Sequence, residues 1–450
     1  MNDIKLTFPT IQEAVEGVFD ENNSVEINSL SEYIELMEKL NAACNCDFEN
    51  CVHIQISEYL FRGEGSFYPK RVSGAFRTER HLPSLDLYPD FNKGIDEFYR
   101  SVGYRLSEIE KNNFVAFSQH YGLPTNLLDV TPSPLTALFM ACYSEERNLK
   151  GGLLNDETPA YLYNFEEYES LEKIRSRYPN ESIEELLKET KYGVEKPVYV
   201  YIMEHYIDVT DIVERYPEKS IIDLIIDQDE YTIKKMAELI EGFNRKDQFD
   251  IENKFRIYIK QLCKNILNFT NDSEFYKLIF EKSNAVCEFQ NSEDNISKLI
   301  EHSRLLFCLA NEINQHEGFT NIPLPHPQDS SQKLRYCYMT FLSCYLKLIK
   351  NNVRQHDGGE FMPYMIYRPK ITFERARLQQ GFFIIQPYVK PFDDNNDTRI
   401  RLVQEIEHSK IIKVNHPEKI LRQLDSIGVN LGNMYGDYDS IAKYIKKKYL

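Results

Sequence analysis

The feature that most constrains the fold is a change of hydrophobic period within the chain. Up to about residue 207 and again after about residue 363, short strand-like segments recur, such as 197–203 and 381–386. Between them the period becomes helical, as in 231–244. Residues on one face of a strand recur every two positions and those on one face of a helix every 3.6, so the two hydrophobic patterns indicate different architectures. We predict an α+β fold, with a mixed β-sheet core built from both ends of the chain and a large helical insertion.

The chain has 450 residues, which is too long for one small core. No linker rich in Pro, Gly or Ser separates its parts, so we expect them to pack together. We also expect the strands near 54–62, 197–203 and 381–386 to share one sheet. The predicted segments are a helical N-terminal segment over 1–50, the first part of the core over 51–206, the helical insertion over 207–350 and the second part of the core over 351–450.

Charge and composition narrow the classes of function. The net charge of −17 makes nucleic acid an unlikely partner, because that binding needs cationic faces. No run approaches the roughly 20 apolar residues of a membrane span, and the nine cysteines show no disulfide framework, so we expect a cytoplasmic protein. The Cys44, Cys46 and Cys51 group lacks the paired spacing of a metal site. The Asp437-x-Asp439 pair could hold a metal, but we predict that Asp439 caps a helix instead. The helical insertion offers a surface for a protein partner.

Helix signals surround the most polar part of the chain. The capping box Ser107-x-x-Glu110 predicts the start of a helix that runs on to a stop at Gly122. Gln119 and His120 then fall in its last turn. Ser133, followed by Pro134, predicts the start of the next helix. Asp129 and Thr131 are left in the short connector before it, close to free backbone N–H groups that suit an anion.

Candidate site residues also lie elsewhere in the chain. Arg62 and Gly63 are predicted to end a strand over 52–62. An Arg fork suits a pyrophosphate, and a Gly lets backbone approach a ligand closely. His120 can act as an acid or base or bind a ribose hydroxyl. Gln379 and Gln380 supply neutral donors and acceptors.

Each of these residues also has a structural interpretation. Arg62 could form a buried ion pair with Asp129. His120 lies on an apolar helical face and could be a core histidine. Asp129, Thr131 and Ser133 could serve only as helix caps.

Four blocks of the sequence resemble the FRG domain family. The resemblance covers roughly 50–145 and 363–446 and leaves the helical insertion outside. The blocks are Phe61-Arg62-Gly63; the Gln-His-Tyr-Gly-Leu-Pro-Thr segment with the Leu-Leu-Asp and Ser-Pro-x-x-Ala-Leu that follow it, over 119–138; Arg377 with Gln379, Gly381 and Phe383; and the segment from Ile427 to Asp439.

The order of these blocks is similar, more distantly, to the ADP-ribosyltransferase superfamily. In that superfamily an Arg at the end of the first core strand holds NAD, and a Ser/Thr-rich strand end precedes a helix. Arg62-Gly63 matches the first element, and Thr131-Pro-Ser133 loosely matches the second. The superfamily also uses a Glu on a late strand to stabilise the transition state. This chain has Gln379 or Gln380 near that position, and Glu374 lies too far upstream.

This resemblance implies NAD as a substrate, with ADP-ribose transfer or NAD cleavage as the activity of a bacterial toxin or defence effector. The residues expected in catalysis are His120, Asp129 and Gln380. Those expected to bind NAD are Arg62, Gly63, Gln119, Thr131 and Gln379. The alternative is a non-catalytic module that binds a nucleotide or senses a partner, which the missing Glu favours. A third hypothesis is a nucleic-acid-processing enzyme, which the acidic net charge of the chain makes less favourable.

Overall fold

The computed structural model of the protein describes residues 24–44, 59–68, 71–77, 88, 90–143, 197–204, 206–242, 257–259, 261–265, 296–315, 330–351, 362–370, 374–390, 404 and 406–449. The strands are β1 (Ser24–Ile27), β2 (Leu60–Glu64), β3 (Leu127–Val130), β4 (Val198–Met203), β5 (Tyr206–Asp208), β6 (Tyr364–Tyr367), β7 (Phe382–Ile385) and β8 (Lys410–Val414). The helices are α1 (Leu30–Cys44), α2 (Asn92–Val102), α3 (Glu108–Asn112), α4 (Phe114–His120), α5 (Pro134–Cys142), α6 (Thr210–Arg215), α7 (Ile221–Ile226), α8 (Glu230–Gly242), α9 (Ile296–Gln315), α10 (Ser330–Asn351), α11 (Glu374–Leu378), α12 (Pro417–Ser426), α13 (Leu431–Tyr435) and α14 (Tyr438–Tyr449).

The strands form two four-stranded sheets, and the predicted α+β class is confirmed. The first sheet has the order β1-β8-β4-β2, and the second has the order β3-β7-β6-β5. Each contains antiparallel pairs and one parallel pair, β1 with β8 and β5 with β6. The expectation of one shared sheet is wrong, because β2 and β4 lie in the first sheet and β7 lies in the second.

The two sheets meet at one backbone pair. The Phe61 N–H donates to the Thr131 carbonyl oxygen at 2.8 Å, and the Thr131 N–H donates back to the Phe61 carbonyl oxygen at 2.9 Å. Neighbouring residues of β2 point to opposite faces, so this strand serves two cores. Phe61 packs with α5, whereas Leu60 packs between the sheets with residues such as Leu128 and Ile384. The sheets therefore diverge from a common point at the middle of β2.

Helix α5 covers one face of the first sheet. As predicted, Ser133 caps it, with its hydroxyl accepting from the Thr136 N–H at 3.3 Å, and Pro134 is its first residue. The exposed fractions of Leu138 and Phe139 are only 0% and 1%. Both pack with strand residues that point toward the helix: Val198, Val200, Ile202, Ile412 and Val414. The close packing of α5 on β2 fixes the position of one wall of the site described below.

The described part of 207–350 is mainly helical and has its own core. Helix α10 is buried along most of its length and contacts α7, α8 and α9. This core includes Ile225, Met236, Leu309, Tyr338 and Leu342. The helical part is continuous with the second sheet, because Ile207 of β5 and Met365 of β6 belong to the same core.

Several local predictions differ from the structure. The helix predicted from Ser107 to Gly122 is two helices that break at Asn113, whose side-chain amide donates to the Ile109 carbonyl at 2.8 Å. This local bond competes with helix continuation. Gly122 ends α4 at a φ of 89°, as predicted. The N-terminal segment contains a strand as well as a helix, because the Ser24–Ile27 edge pairs with β8.

Three site residues also differ from the prediction in their local setting. Asp129 belongs to β3 and pairs with Phe383 of β7, so it is not part of a connector. Arg62 and Gly63 lie inside β2, which continues to Glu64. The first part of the strand predicted over 52–62 falls outside the described residues.

Candidate functional site

A cleft of about 300 Å³ opens where the two sheets meet. Its walls are β2, the end of β3, α4, α5 and the segment from α11 to β7. Seven of the eight residues expected at the site line it: Arg62, Gly63, Gln119, His120, Asp129, Thr131 and Gln379. Gln380 is not among them. Its backbone is left-handed, with a φ of 48°, and its side chain is exposed.

Arg62 is held by two contacts to oxygen atoms. Its Nε–H donates to Oε1 of Glu64 at 2.5 Å, and its Nη1 donates to the backbone carbonyl of Asp129 at 2.8 Å. The predicted ion pair with the Asp129 carboxylate is only peripheral, since Nη1 and Oδ2 are 3.9 Å apart. Glu64, which the sequence analysis did not single out, is therefore the main partner of Arg62.

The charge of Arg62 is preserved although the side chain is mostly buried. Burial acts to lower the pKa of this guanidinium, but the nearby carboxylates of Glu64 and Asp129 raise it above its ordinary value. Arg62 therefore remains a cation, and no more than 15% of its side chain is exposed. Nη2 has no hydrogen bond to any residue within the described ranges, which leaves donors on the terminal nitrogens for a ligand.

Asp129 brings an accessible carboxylate to the cleft. Its side chain is 70% exposed, although its neighbours Leu128 and Val130 are buried in the core between the sheets. Strand alternation explains this, because adjacent residues of β3 point to opposite faces. The helix-cap interpretation of Asp129 is wrong, since Ser133 caps α5. The carboxylate is available for contact with a ligand.

Gln119 and His120 enter the cleft from the last turn of α4. The Thr125 hydroxyl donates to Oε1 of Gln119. This bond anchors the oxygen of the side-chain amide, so Thr125 does not engage the amide nitrogen. His120 is half-buried and lines the cleft, so it is not a core residue. Its ring makes an edge contact with Tyr121 at 5.0 Å between centroids. The end of α4 thus supplies an amide and an imidazole at one wall.

Thr131 and Gln379 have structural duties in the same cleft. The Thr131 hydroxyl donates to the Gln379 carbonyl at 2.9 Å and accepts from the Ser133 N–H at 3.1 Å. The Gln379 amide donates in turn to the Met434 carbonyl of α13 at 3.1 Å. Since its hydroxyl already donates one bond and accepts another, Thr131 contributes to the shape of the cleft more than to ligand contacts.

Glycine is required at position 63 for a structural reason that the sequence did not reveal. We expected it to admit a ligand close to the backbone, but the neighbour that approaches is α5. A Cβ at Gly63 would lie 1.9 Å from the Ala137 carbonyl oxygen and 2.6 Å from the Ala141 nitrogen. Glycine is therefore required here by the packing of α5 on β2.

Of the two candidate metal groups, the Asp437-x-Asp439 pair lies within the described residues, whereas the side chains of Cys44, Cys46 and Cys51 lie outside them. Asp437, not Asp439, caps α14, because its carboxylate accepts from the Ser440 N–H at 2.8 Å and from the Ser440 hydroxyl at 2.7 Å. The part of the chain that the structure describes contains no group of His, Cys, Asp and Glu arranged to hold a metal ion. It also contains no helix long and apolar enough to cross a membrane.

One comparison with known proteins found a match, to a family model that covers part of the chain. Residues 57–150 match the model of the FRG domain, so the chain contains an FRG domain. The match takes in β2, α4, β3 and α5, which form most of the cleft walls. No curated protein and no solved structure matches the chain.

Proposed function

We propose that the cleft binds NAD and breaks the bond between nicotinamide and ribose, passing ADP-ribose to water or to an acceptor. The observation that carries the proposal is that Arg62, His120 and Asp129, from three separate elements, line one cleft. These residues supply a cation, an imidazole and an accessible carboxylate. Such a combination, on elements held by packed cores, is typical of a site that binds and transforms a ligand.

Each group has a role in the proposed reaction. The terminal nitrogens of Arg62 hold the diphosphate. When the C1′–N bond breaks, its electrons leave with nicotinamide and positive charge develops on the ribose. The carboxylate of Asp129 stabilises that charge. Water or an acceptor then bonds to C1′, and its proton passes to Asp129 or His120. Asp129 thereby has the role that the resemblance to the ADP-ribosyltransferase superfamily assigns to a Glu, which is to stabilise the transition state.

The biological setting that we propose is an effector of a bacterial defence or toxin system. It is supported only by the resemblance to families with such members. The helical part, from α6 to α10, is the surface that we propose for a protein partner, since it lies outside the matched residues.

A non-catalytic module that binds a nucleotide or senses a partner is the second candidate. One observation favours it: Gly63, Thr131 and Gln379 are all occupied in holding the fold together. In addition, the charge of Arg62 is already shared with Glu64 and Asp129. A site of this kind would bind a nucleotide without releasing nicotinamide.

The test is to incubate the purified protein with NAD and to measure free nicotinamide, with and without cell lysate as a source of acceptors. We expect release that depends on the protein. A matched control is Gln380→Asn, which changes an amide outside the cleft and introduces a residue type that tolerates the left-handed backbone found there. It should leave the rate unchanged. Binding of NAD without any release would support the second candidate instead.

A further inference from the structure

We infer that Glu64 is a positioning residue, which fixes the Arg62 guanidinium so that its terminal nitrogens face the ligand. The inference rests on the proposed function, because it names how that site would grip a phosphate-containing ligand. It starts from the 2.5 Å bond between the Arg62 Nε and the Glu64 carboxylate. Glu64 does not itself line the cleft, and its side chain is only 10% exposed. It therefore acts through Arg62.

The geometry explains why the pair forms within one strand. Residues i and i+2 of a strand point to the same face, so Arg62 and Glu64 lie side by side. They are paired across the sheet with Tyr201 and Tyr199 of β4, whose rings are stacked with centroids 6.5 Å apart. Arg62 thus has the Glu64 carboxylate at its Nε edge, within a strand that is paired with β4.

The second anchor determines which edge remains available. The Asp129 carbonyl takes one N–H of Nη1, and the Glu64 carboxylate takes the N–H of Nε. A guanidinium has five N–H donors, so the remaining three are on Nη1 and Nη2. A phosphate can therefore be held only through the terminal nitrogens. Two fixed contacts also remove most of the rotamer freedom that a ligand would otherwise have to restrict.

The carboxylate has a second effect, which opposes the first. Its negative charge lies beside the group that would bind an anion, so it weakens that attraction. Glu64→Gln retains an oxygen acceptor for the Nε–H but removes the charge. Glu64→Ala removes both. The two variants consequently separate the positioning effect from the charge effect.

The experiment is a titration of NAD into the wild type, Glu64→Gln and Glu64→Ala by calorimetry. We expect Glu64→Ala to bind about ten-fold more weakly than Glu64→Gln, because both variants lack the charge and only the alanine variant must order the long Arg62 side chain on binding. Glu64→Gln should bind at least as tightly as the wild type. In an Arg62→Lys background, which lacks the Nε–H, Glu64→Ala should cause no such loss. Equal losses in both backgrounds would overturn the inference.

A matched control separates positioning from general stability. Glu204 pairs with Lys410 beside the same sheet, at similar burial, and does not line the cleft. Glu204→Ala should lower the melting temperature about as much as Glu64→Ala does, but it should leave the affinity for NAD unchanged. A similar loss of affinity in both alanine variants would contradict a positioning role for Glu64.

A measurement without ligand keeps this inference distinct from the proposed function. In ¹⁵N-labelled protein, the Arg62 Nε–H signal is assigned by its loss in Arg62→Lys. It should exchange slowly in the wild type and in Glu64→Gln, and rapidly in Glu64→Ala. If NAD does not bind to the wild type, the proposed function fails, and this exchange pattern still decides whether Glu64 holds Arg62. Equally rapid exchange in the wild type and in Glu64→Ala would refute the inference.

Discussion

Gly63 of β2 and Ala137 of α5 are in direct backbone contact. A Cβ on Gly63 would come within 1.9 Å of the Ala137 carbonyl oxygen. Side chains can rotate away from such a clash, but the backbone of a buried helix cannot do so without moving as a whole. Because Arg62 precedes Gly63 in the same strand, this contact also sets the distance between Arg62 and the α5 wall of the cleft.

Gly63→Ala should therefore destabilise the fold strongly. Overpacking of a core commonly costs about 1–3 kcal/mol, and a clash with backbone belongs at the upper end or above it. The free energy of unfolding in urea measures the effect. The control is Gly94→Ala in α2, where the added Cβ would make an ordinary contact of 3.7 Å with Leu123. It should be neutral or slightly stabilising. Similar stabilities for the two variants would contradict the packing argument.

The sequence predicted those features of the fold that depend only on residues close together in the chain. The periods of 197–203 and 381–386 predicted β4 and β7, and Ser133 with Pro134 predicted the start of α5. Capping and alternation are properties of a few neighbouring residues, so they can be read without knowing the fold. Most of the predicted cleft residues also line one cleft, although Arg62, Gly63 and Asp129 lie inside strands and not at the element ends where we expected them.

Features that depend on contacts between distant residues could not be predicted from the sequence in this way. Membership of β7 in a second sheet is set by its pairing with β3, and the bond from Thr131 to Gln379 joins residues that are 248 apart in the chain. A period contains no information on either pairing. The role of Glu64 was within reach, since a residue two positions from Arg62 in a strand must share its face.

Thr131→Val should destabilise the junction between the sheets. Valine has nearly the same shape but no hydroxyl, so the Gln379 carbonyl and the Ser133 N–H each lose a partner. Unsatisfied buried polar groups cost about 1–3 kcal/mol. Chemical denaturation checks this, and Thr131→Ser, which retains the hydroxyl, should recover most of the loss. If Thr131→Ser were no more stable than Thr131→Val, the hydroxyl contacts would not matter.

Asp129→Asn should abolish nicotinamide release while the protein remains folded. An amide cannot stabilise positive charge on the ribose as a carboxylate does, and losses of about 10²- to 10³-fold are typical when such a group is removed. The side chain is 70% exposed, so stability should change by no more than about 0.5 kcal/mol. Release rates and melting curves of the two proteins test this. A rate close to that of the wild type would remove Asp129 from the mechanism.

The stability of the fold should fall as the pH is lowered from about 6.5 to 4. Burial, together with the nearby Arg71 cation, lowers the pKa of His408 to about 4 in the folded protein, and the ordinary value is about 6.5. Between these values the unfolded chain binds more protons at this site, so acid favours unfolding. His408→Gln should show a smaller loss over this pH range in denaturation curves. An unchanged dependence on pH would show that His408 does not contribute to it.

The central claim is that the cleft binds NAD through Arg62, and an NAD titration of the wild type and Arg62→Ala tests it most directly. Loss of a charge-assisted contact of about 2–3 kcal/mol should weaken binding about 30- to 150-fold. Arg62→Lys should recover only part of it, because an ammonium lacks the fork. Melting curves of the same proteins should show a lower melting temperature for Arg62→Ala, because this variant leaves the Glu64 carboxylate, which is only 10% exposed, without its main partner. No binding of NAD by the wild type, or equal binding by the wild type and Arg62→Ala, would contradict the account and make Arg62 a structural residue.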